Sequence, residues 1–292
     1  MTTQEITTVT VNRSLWAETI RQLRRNVAAM VGLSILFVLS LVAIFADQIA
    51  PHDPIKLDLL HPLQPPLTPG HILGTDDLGR DVLSRLIYGS RASLMVGFIV
   101  VGIAGTVGVI LGAISGYFGG KIDMIIMRVV DVLFAFPFLI LALAFVAILG
   151  PSLINMMLVL GMVSWIGYAR LVRSVVLSLR EMTFVEAAHS VGASDMRILF
   201  QHILPNVVGI VVVQATFGVA QAILAAAALS FLGFGVQPPA AEWGNMLTKM
   251  RDFMRAQPVL VVAPGMMIMI TVLSLNFVGD ALRDALDPYM RL

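Results

Sequence analysis

The chain has 292 residues, of which 58% are hydrophobic and only 13% charged. A soluble domain carries about 25% charged residues, so this composition excludes an ordinary soluble enzyme, a disordered chain and a nucleic-acid binder. Nineteen Lys and Arg face 18 Asp and Glu, implying no polyanionic partner, and the lack of cysteine excludes disulfides and thiolate chemistry.

What remains is an all-α integral membrane protein. Residues 1–26 form a polar N-terminal tail in which Trp16, Ile20, Leu23 and Val27 recur at helical spacing opposite Glu18, Arg21 and Arg25. That pattern predicts an amphipathic helix on the cytoplasmic leaflet; a frayed polar tail is the plainer reading. Five long gaps without Asp, Glu, Lys or Arg follow, at 26–46, 92–120, 132–169, 198–241 and 256–279. A spanning helix needs about 20 apolar residues, so each gap holds at least one span. Residues 27–46 read as a retained first span rather than a cleaved signal. Residues 47–91 then make an extracytoplasmic segment containing Asp76, Asp77, Arg80 and Asp81, which either face a pathway entrance or cap and pair locally.

Along the second span Gly108, Gly112, Gly116 and Gly120 repeat every four residues, a spacing that lets helix backbones approach closely in lipid. Gly116 to Lys121 faintly resembles a Walker A loop, but Ser115 stands where a Gly is required and Ile122 where Ser or Thr is. No nucleotide site is therefore expected. Arg128 and Asp131 lie three apart, as do Asp280 and Arg283 with Asp284 beside them; both groups are read as structural ion pairs at cytoplasmic helix ends. The longest gap splits at Gly150-Pro151-Ser152 into spans of about 124–149 and 152–170.

The cytoplasmic loop 171–205 is the most informative stretch. Phe184 to Val191 suits a short helix containing Glu186, Ala187 and Ala188. Gly192, followed by Ala193, suits its left-handed end, and Ser194 suits the N-cap of a second short helix leading to Leu204 and Pro205. Two short helices with a sharp bend make a protruding knob, although an ordinary amphipathic loop fits the same residues. A fifth span follows at about 206–232, with Gln214 and Gln221 on one face. They either line a hydrophilic pathway or hydrogen-bond between helices. Residues 233–256 form an extracytoplasmic loop, a sixth span follows, and residues 281–292 are a cytoplasmic tail. The five histidines show no ligand spacing, so no metal site is expected, and no group suits catalysis. With both termini cytoplasmic, 12 Lys and Arg lie inside and 7 outside, as the positive-inside rule requires.

The ordered motifs resemble the permease subunits of ABC importers in the dipeptide, oligopeptide and nickel branch. The resemblance rests on Glu186-Ala187-Ala188, Gly192 and Leu204-Pro205, which match that family's EAA loop, with His202 a mild departure. Leu73 to Asp81 with Ser84-Arg85, Met127 to Asp131, Ser230 to Gly233, Gln237-Pro238-Pro239 with Glu242-Trp243-Gly244, and Asn276 with Gly279 to Pro288 add to it. The resemblance implies a type I importer permease fold, a five-helix core (residues 92–280) plus the N-terminal span, in a bacterial cytoplasmic (inner) membrane. It also implies a second homologous permease subunit, two ABC ATPase subunits that hold ATP and Mg, and an extracytoplasmic substrate-binding protein. Glu186, Ala187, Ala188, Gly192, Ala193, Leu204 and Pro205 are then the ATPase-coupling residues. Small peptides are the implied cargo, with glutathione or nickel and metal chelates as alternatives. An ion-gradient-driven secondary transporter is the rival from another class; it wants midplane ionisable groups or unwound helices.

Overall fold

The computed structural model describes residues 15–286, with side chains from residue 18 onward. The side chain of Trp16 and the pair Asp287-Pro288 lie outside what is described. Among the described residues the regular secondary structure is all helical, with two isolated bridges in the irregular segment between residues 50 and 81. In chain order the helices are α1 (Leu15–Arg25), α2 (Val27–Ile44), α3 (Ala46–Ile49), α4 (Val82–Phe118), α5 (Gly120–Phe134), α6 (Phe138–Leu149) and α7 (Leu153–Arg180). Then come α8 (Thr183–Ser190), α9 (Asp195–Arg197), a π-helical turn (Ile198–Ile203), α10 (Leu204–Phe231), α11 (Trp243–Met250) and α12 (Val259–Leu286).

Five helical stretches are long and apolar enough to cross a bilayer: α2, α4, α7, the continuous run from α9 through α10, and α12. The expected third span at 124–149 is not straight. α5 and α6 meet at 89°, and they qualify as a span only as a pair. Pro137 is the physical cause: it has no N–H to donate, and its ring disfavours helical backbone at Phe136.

Packing in lipid gains little from hydrophobicity, so close backbone approach decides which helices meet. α4 and α7 form the most extensive pair. A Cβ on Gly108 would lie 2.4 Å from Tyr168 Cβ, one on Gly112 2.5 Å from the Ala169 carbonyl oxygen, and one on Gly116 2.9 Å from that of Arg173. Three of the four spaced glycines are thus the seam between these helices. Gly120 is not part of it: it opens α5 with φ +55°.

α4 has 37 residues, about 55 Å at 1.5 Å per residue against about 30 Å of hydrocarbon. It begins well before the expected span start at 92, and its first turns follow directly on the Asp81 cap. There it meets α11, which is not a solvated loop element: Trp243 is fully buried and donates from Nε1 to the Leu86 carbonyl at 3.1 Å. α1 packs against α12, with Thr19 buried.

Candidate functional site

The knob forms as its residues dictate. In α8 the first turn carries Glu186 and the helix ends at Gly192, whose φ is +77°. The Gly192 N–H donates to the His189 carbonyl at 2.9 Å and the Ala193 N–H to that of Ala188 at 3.1 Å. That is the Schellman arrangement, which satisfies the last carbonyls of a helix and requires a left-handed residue. Ser194 precedes α9 as expected, yet its side chain makes no capping hydrogen bond. The second short helix does not stay separate: α9 runs through the π turn and Leu204-Pro205 into α10.

An apolar base fastens the knob to the bundle. Val185, Ile198, Leu199 and Ile203 are buried with Ala113 and Tyr117 of α4 and Val172 and Val176 of α7. Ala188, Ala193 and Leu204 pack half-buried against this cluster. Polar ties reinforce it: Tyr117 Oη donates to Asp195 Oδ1 at 2.9 Å, and Arg180 Nη1 to the Tyr117 carbonyl at 2.9 Å. Nearby, Arg173 of α7 grips Asp123 of α5 bidentately at 2.5 and 2.6 Å, and Ser115 of α4 donates to the same carboxylate. The sequence reading missed this three-helix tie, because its members are 50 residues or more apart on two of three sides. The outer face of the knob is open: Glu186, Ala187 and Pro205 are exposed, with the apolar side chains of Met182, Phe184, Val191, Met196 and Phe200.

A second feature lies deeper. α4, the α5–α6 break, α7 and α10 line a half-open cavity of about 610 Å³ whose wall includes Phe136, Tyr168, Gln214 and Gln221. Both glutamines thus reach the same cavity, and Tyr168 Oη donates to the Gln214 carbonyl at 3.3 Å.

Ahead of α4, the Leu73–Asp81 segment is a folding device. A Cβ on Gly74 would lie 2.2 Å from the Gln64 carbonyl oxygen, and one on Gly79 1.9 Å from that of Asp58, both at positive φ. Asp76 is buried; it accepts from the N–H groups of Leu78 and Arg80 at 3.0 and 2.9 Å and from Arg80 Nε at 2.7 Å. Asp81, also buried, caps α4 by accepting from the Ser84 N–H at 2.8 Å and Oγ at 2.7 Å. Arg85 joins the module through the Pro54 carbonyl at 3.0 Å. Asp77 is the odd member: its Oδ1 is buried without a hydrogen bond, 3.7 Å from Arg80. Burial, and then the neighbouring Asp76 carboxylate, push its pKa above the ordinary carboxylate range. Glu242, fully enclosed, caps α11 through Gly244 and Asn245 at 2.7 and 2.8 Å and accepts from Ser230 at 2.8 Å. The sequence reading gave Glu242 no role; an acid ahead of an aromatic-led helix was the available signal.

Two expected ion-pair groups are not formed. Asp131 pairs with Arg170 of α7 at 3.1 Å, while Arg170 also lies over the Phe134 ring; Arg128 has no ion pair among the described residues. Asp280, Arg283 and Asp284 are exposed and unpaired among the described residues, since an isolated exposed pair gains too little to hold two side chains in place. Folding also brings together His52, His71 and Asp81, which sequence spacing did not relate, with ligand atoms within 4.8 Å of one another.

Residues 108–292 match the family described as binding-protein-dependent transport system inner membrane component, and residues 14–66 match the N-terminal TM domain of oligopeptide transport permease C. The dipeptide transport system permease protein DppC of Alkalihalophilus pseudofirmus is 48% identical over 278 residues, 95% of this chain and 91% of its own. The glutathione transport system permease protein GsiD of Pectobacterium atrosepticum is 42% identical over 280 residues, 96% and 93% of the two chains. A chain of the inward-facing MetNI methionine ABC transporter shares the fold, with TM-score 0.55 at 20% identity over 69% of this chain and 96% of that one. The chain therefore belongs to the binding-protein-dependent transport inner membrane components and is a permease subunit of an ABC importer.

Proposed function

We propose that this permease pairs with a second, homologous permease to form a pathway for small peptides, driven by two ATPase subunits that bind ATP and Mg and supplied by an extracytoplasmic binding protein. Both termini are cytoplasmic in this reading, and the membrane is the bacterial inner membrane. The observation that carries it is the knob: an exposed acid and exposed apolar side chains sit on two short helices whose base is buried against α4 and α7. A force applied by an ATPase at Glu186, Ala187 and Gly192 would pass through Val185, Ile198 and Tyr117 into those two helices. α4 and α7, sealed by the glycine seam, would move as one body and reshape the cavity that Gln214 and Gln221 line.

Peptide cargo is favoured because the similar proteins are named for dipeptide and glutathione transport, and glutathione is itself a small peptide. The test is uptake of labelled dipeptide and of glutathione into proteoliposomes holding the full complex. ATP-dependent, vanadate-sensitive uptake is expected. Uptake that follows an imposed ion gradient without ATP overturns the reading in favour of a secondary transporter.

A further inference from the structure

The histidines of this chain are far apart in sequence, yet two of them end up on one carboxylate. His71 Nδ1 lies 2.9 Å from Asp81 Oδ1, and His52 Nδ1 lies 3.9 Å from Asp81 Oδ2. The two imidazole rings stack at 4.7 Å between centroids with 29° between planes. Three chain segments supply these groups, and each is held by its backbone. The His52 N–H donates to Ser84 Oγ at 3.0 Å, the His71 N–H to the Thr68 carbonyl at 2.8 Å, and Asp81 begins α4. Asp81 is buried, His71 is mostly buried and His52 is more open, with side-chain exposures of 1%, 20% and 38%. A charged oxygen at the bottom and two imidazoles above it, with one side reachable from water, is the shape of an ion site.

From this geometry we infer that His52, His71 and Asp81 bind one divalent transition ion of the zinc class on the extracytoplasmic side. Two imidazole nitrogens and one carboxylate oxygen suit zinc, copper or nickel rather than magnesium or calcium, which prefer all-oxygen shells. Zinc bonds of about 2.0–2.1 Å put tetrahedral ligands roughly 3.3 Å apart; the donor atoms here already lie within 4.8 Å, so small ring rotations close the site. The ion replaces the hydrogen bridging His71 Nδ1 and Asp81 Oδ1, and water fills the remaining position. Ser84, which donates to Asp81 Oδ2 at 2.7 Å, holds the carboxylate in place from behind. The consequence is a clip that ties the start and the later part of the segment between α3 and α4 to the α4 cap.

The test is calorimetric titration of Zn2+ into the full-length chain in lipid nanodiscs at neutral pH, with Co2+ absorption as a second readout. One saturable site is expected, with visible bands of low-coordinate Co2+. His52→Ala and His71→Ala should each weaken it about tenfold or more, the scale found even for outer-shell losses; His61→Ala should leave it unchanged. His71→Gln keeps a hydrogen bond to Asp81 and guards against a folding artefact, and it too should lose the site. Absence of saturable binding, or binding that survives the His52→Ala/His71→Ala double variant, overturns the inference and leaves the cluster a hydrogen-bonded cap.

Discussion

Gly192 offers the sharpest test of the coupling assignment, because its surroundings separate two effects that are usually mixed. Its φ is +77°, and a Cβ built there meets nothing within 4 Å of the chain. Gly192→Ala therefore creates no internal clash; it costs only the left-handed strain of an L-residue, about 1–2 kcal/mol. Val185 is the one fully buried side chain of α8 in the cluster at its base, with Ala188 half-buried beside it, and one buried Val contributes roughly 1.5–3 kcal/mol. The strain is thus comparable to the anchor. The formed knob should lose about 5–30-fold in population relative to its frayed state, while the bundle, held elsewhere, stays folded. Apparent affinity for the ATPase subunits falls with that population once the formed state is the minority. Asn tolerates the left-handed region, so Gly192→Asn should restore most of the loss. The assay is co-purification of the ATPase subunits together with ATP hydrolysis stimulated by the loaded binding protein, at matched membrane levels. Gly192→Val with wild-type coupling would refute the docking role. Gly192→Asn as impaired as Gly192→Val would refute the conformational reasoning and point to steric contact with the partner.

Three further outcomes follow from the same geometry. Gly112→Leu drives a side chain into the Ala169 carbonyl and Val172 across the α4–α7 seam; overpacking of this kind costs about 1–3 kcal/mol, so the unfolding temperature in detergent should drop, whereas Gly102→Ala, with open space around it, should not lower it through packing. Asp77 titrates above its ordinary value of 3.8 in the folded protein, so the native state holds that proton more tightly and loses stability as pH rises through the folded pKa. Asp77→Asn should therefore melt higher than wild type at neutral pH, with the gap closing as pH falls toward 3.8; a variant that melts lower at neutral pH contradicts the burial account. Reporter fusions at Pro62 and Ala240 should read extracytoplasmic and those at Ser178 and Leu292 cytoplasmic, and opposite readings at two of the four sites would overturn the topology.

What the sequence determined by itself is what short-range physics controls. A charge-free run of the right length must be a helix in lipid, because every backbone group there needs an internal partner; α2, α4, α7, α10 and α12 were legible for that reason. Gly192 and the helix before it were legible because a Schellman ending involves six consecutive residues. The kink at Pro137 had a visible signal, but proline alone does not decide: α12 runs unbroken through Pro264, and only packing distinguishes the two. The ties from Arg173 to Asp123, from Asp131 to Arg170 and from Glu242 to Ser230 were not legible. Neither was the meeting of His52, His71 and Asp81. Local spacing favoured Arg128 for Asp131, yet Arg170 of another helix took the place; that pair is itself exposed, and Arg170 gains a second hold over the Phe134 ring, which spacing within one helix does not show. Helices are written in local spacing; which side chains share a carboxylate is settled only when the glycine seam and the turns ahead of α4 bring distant segments into contact.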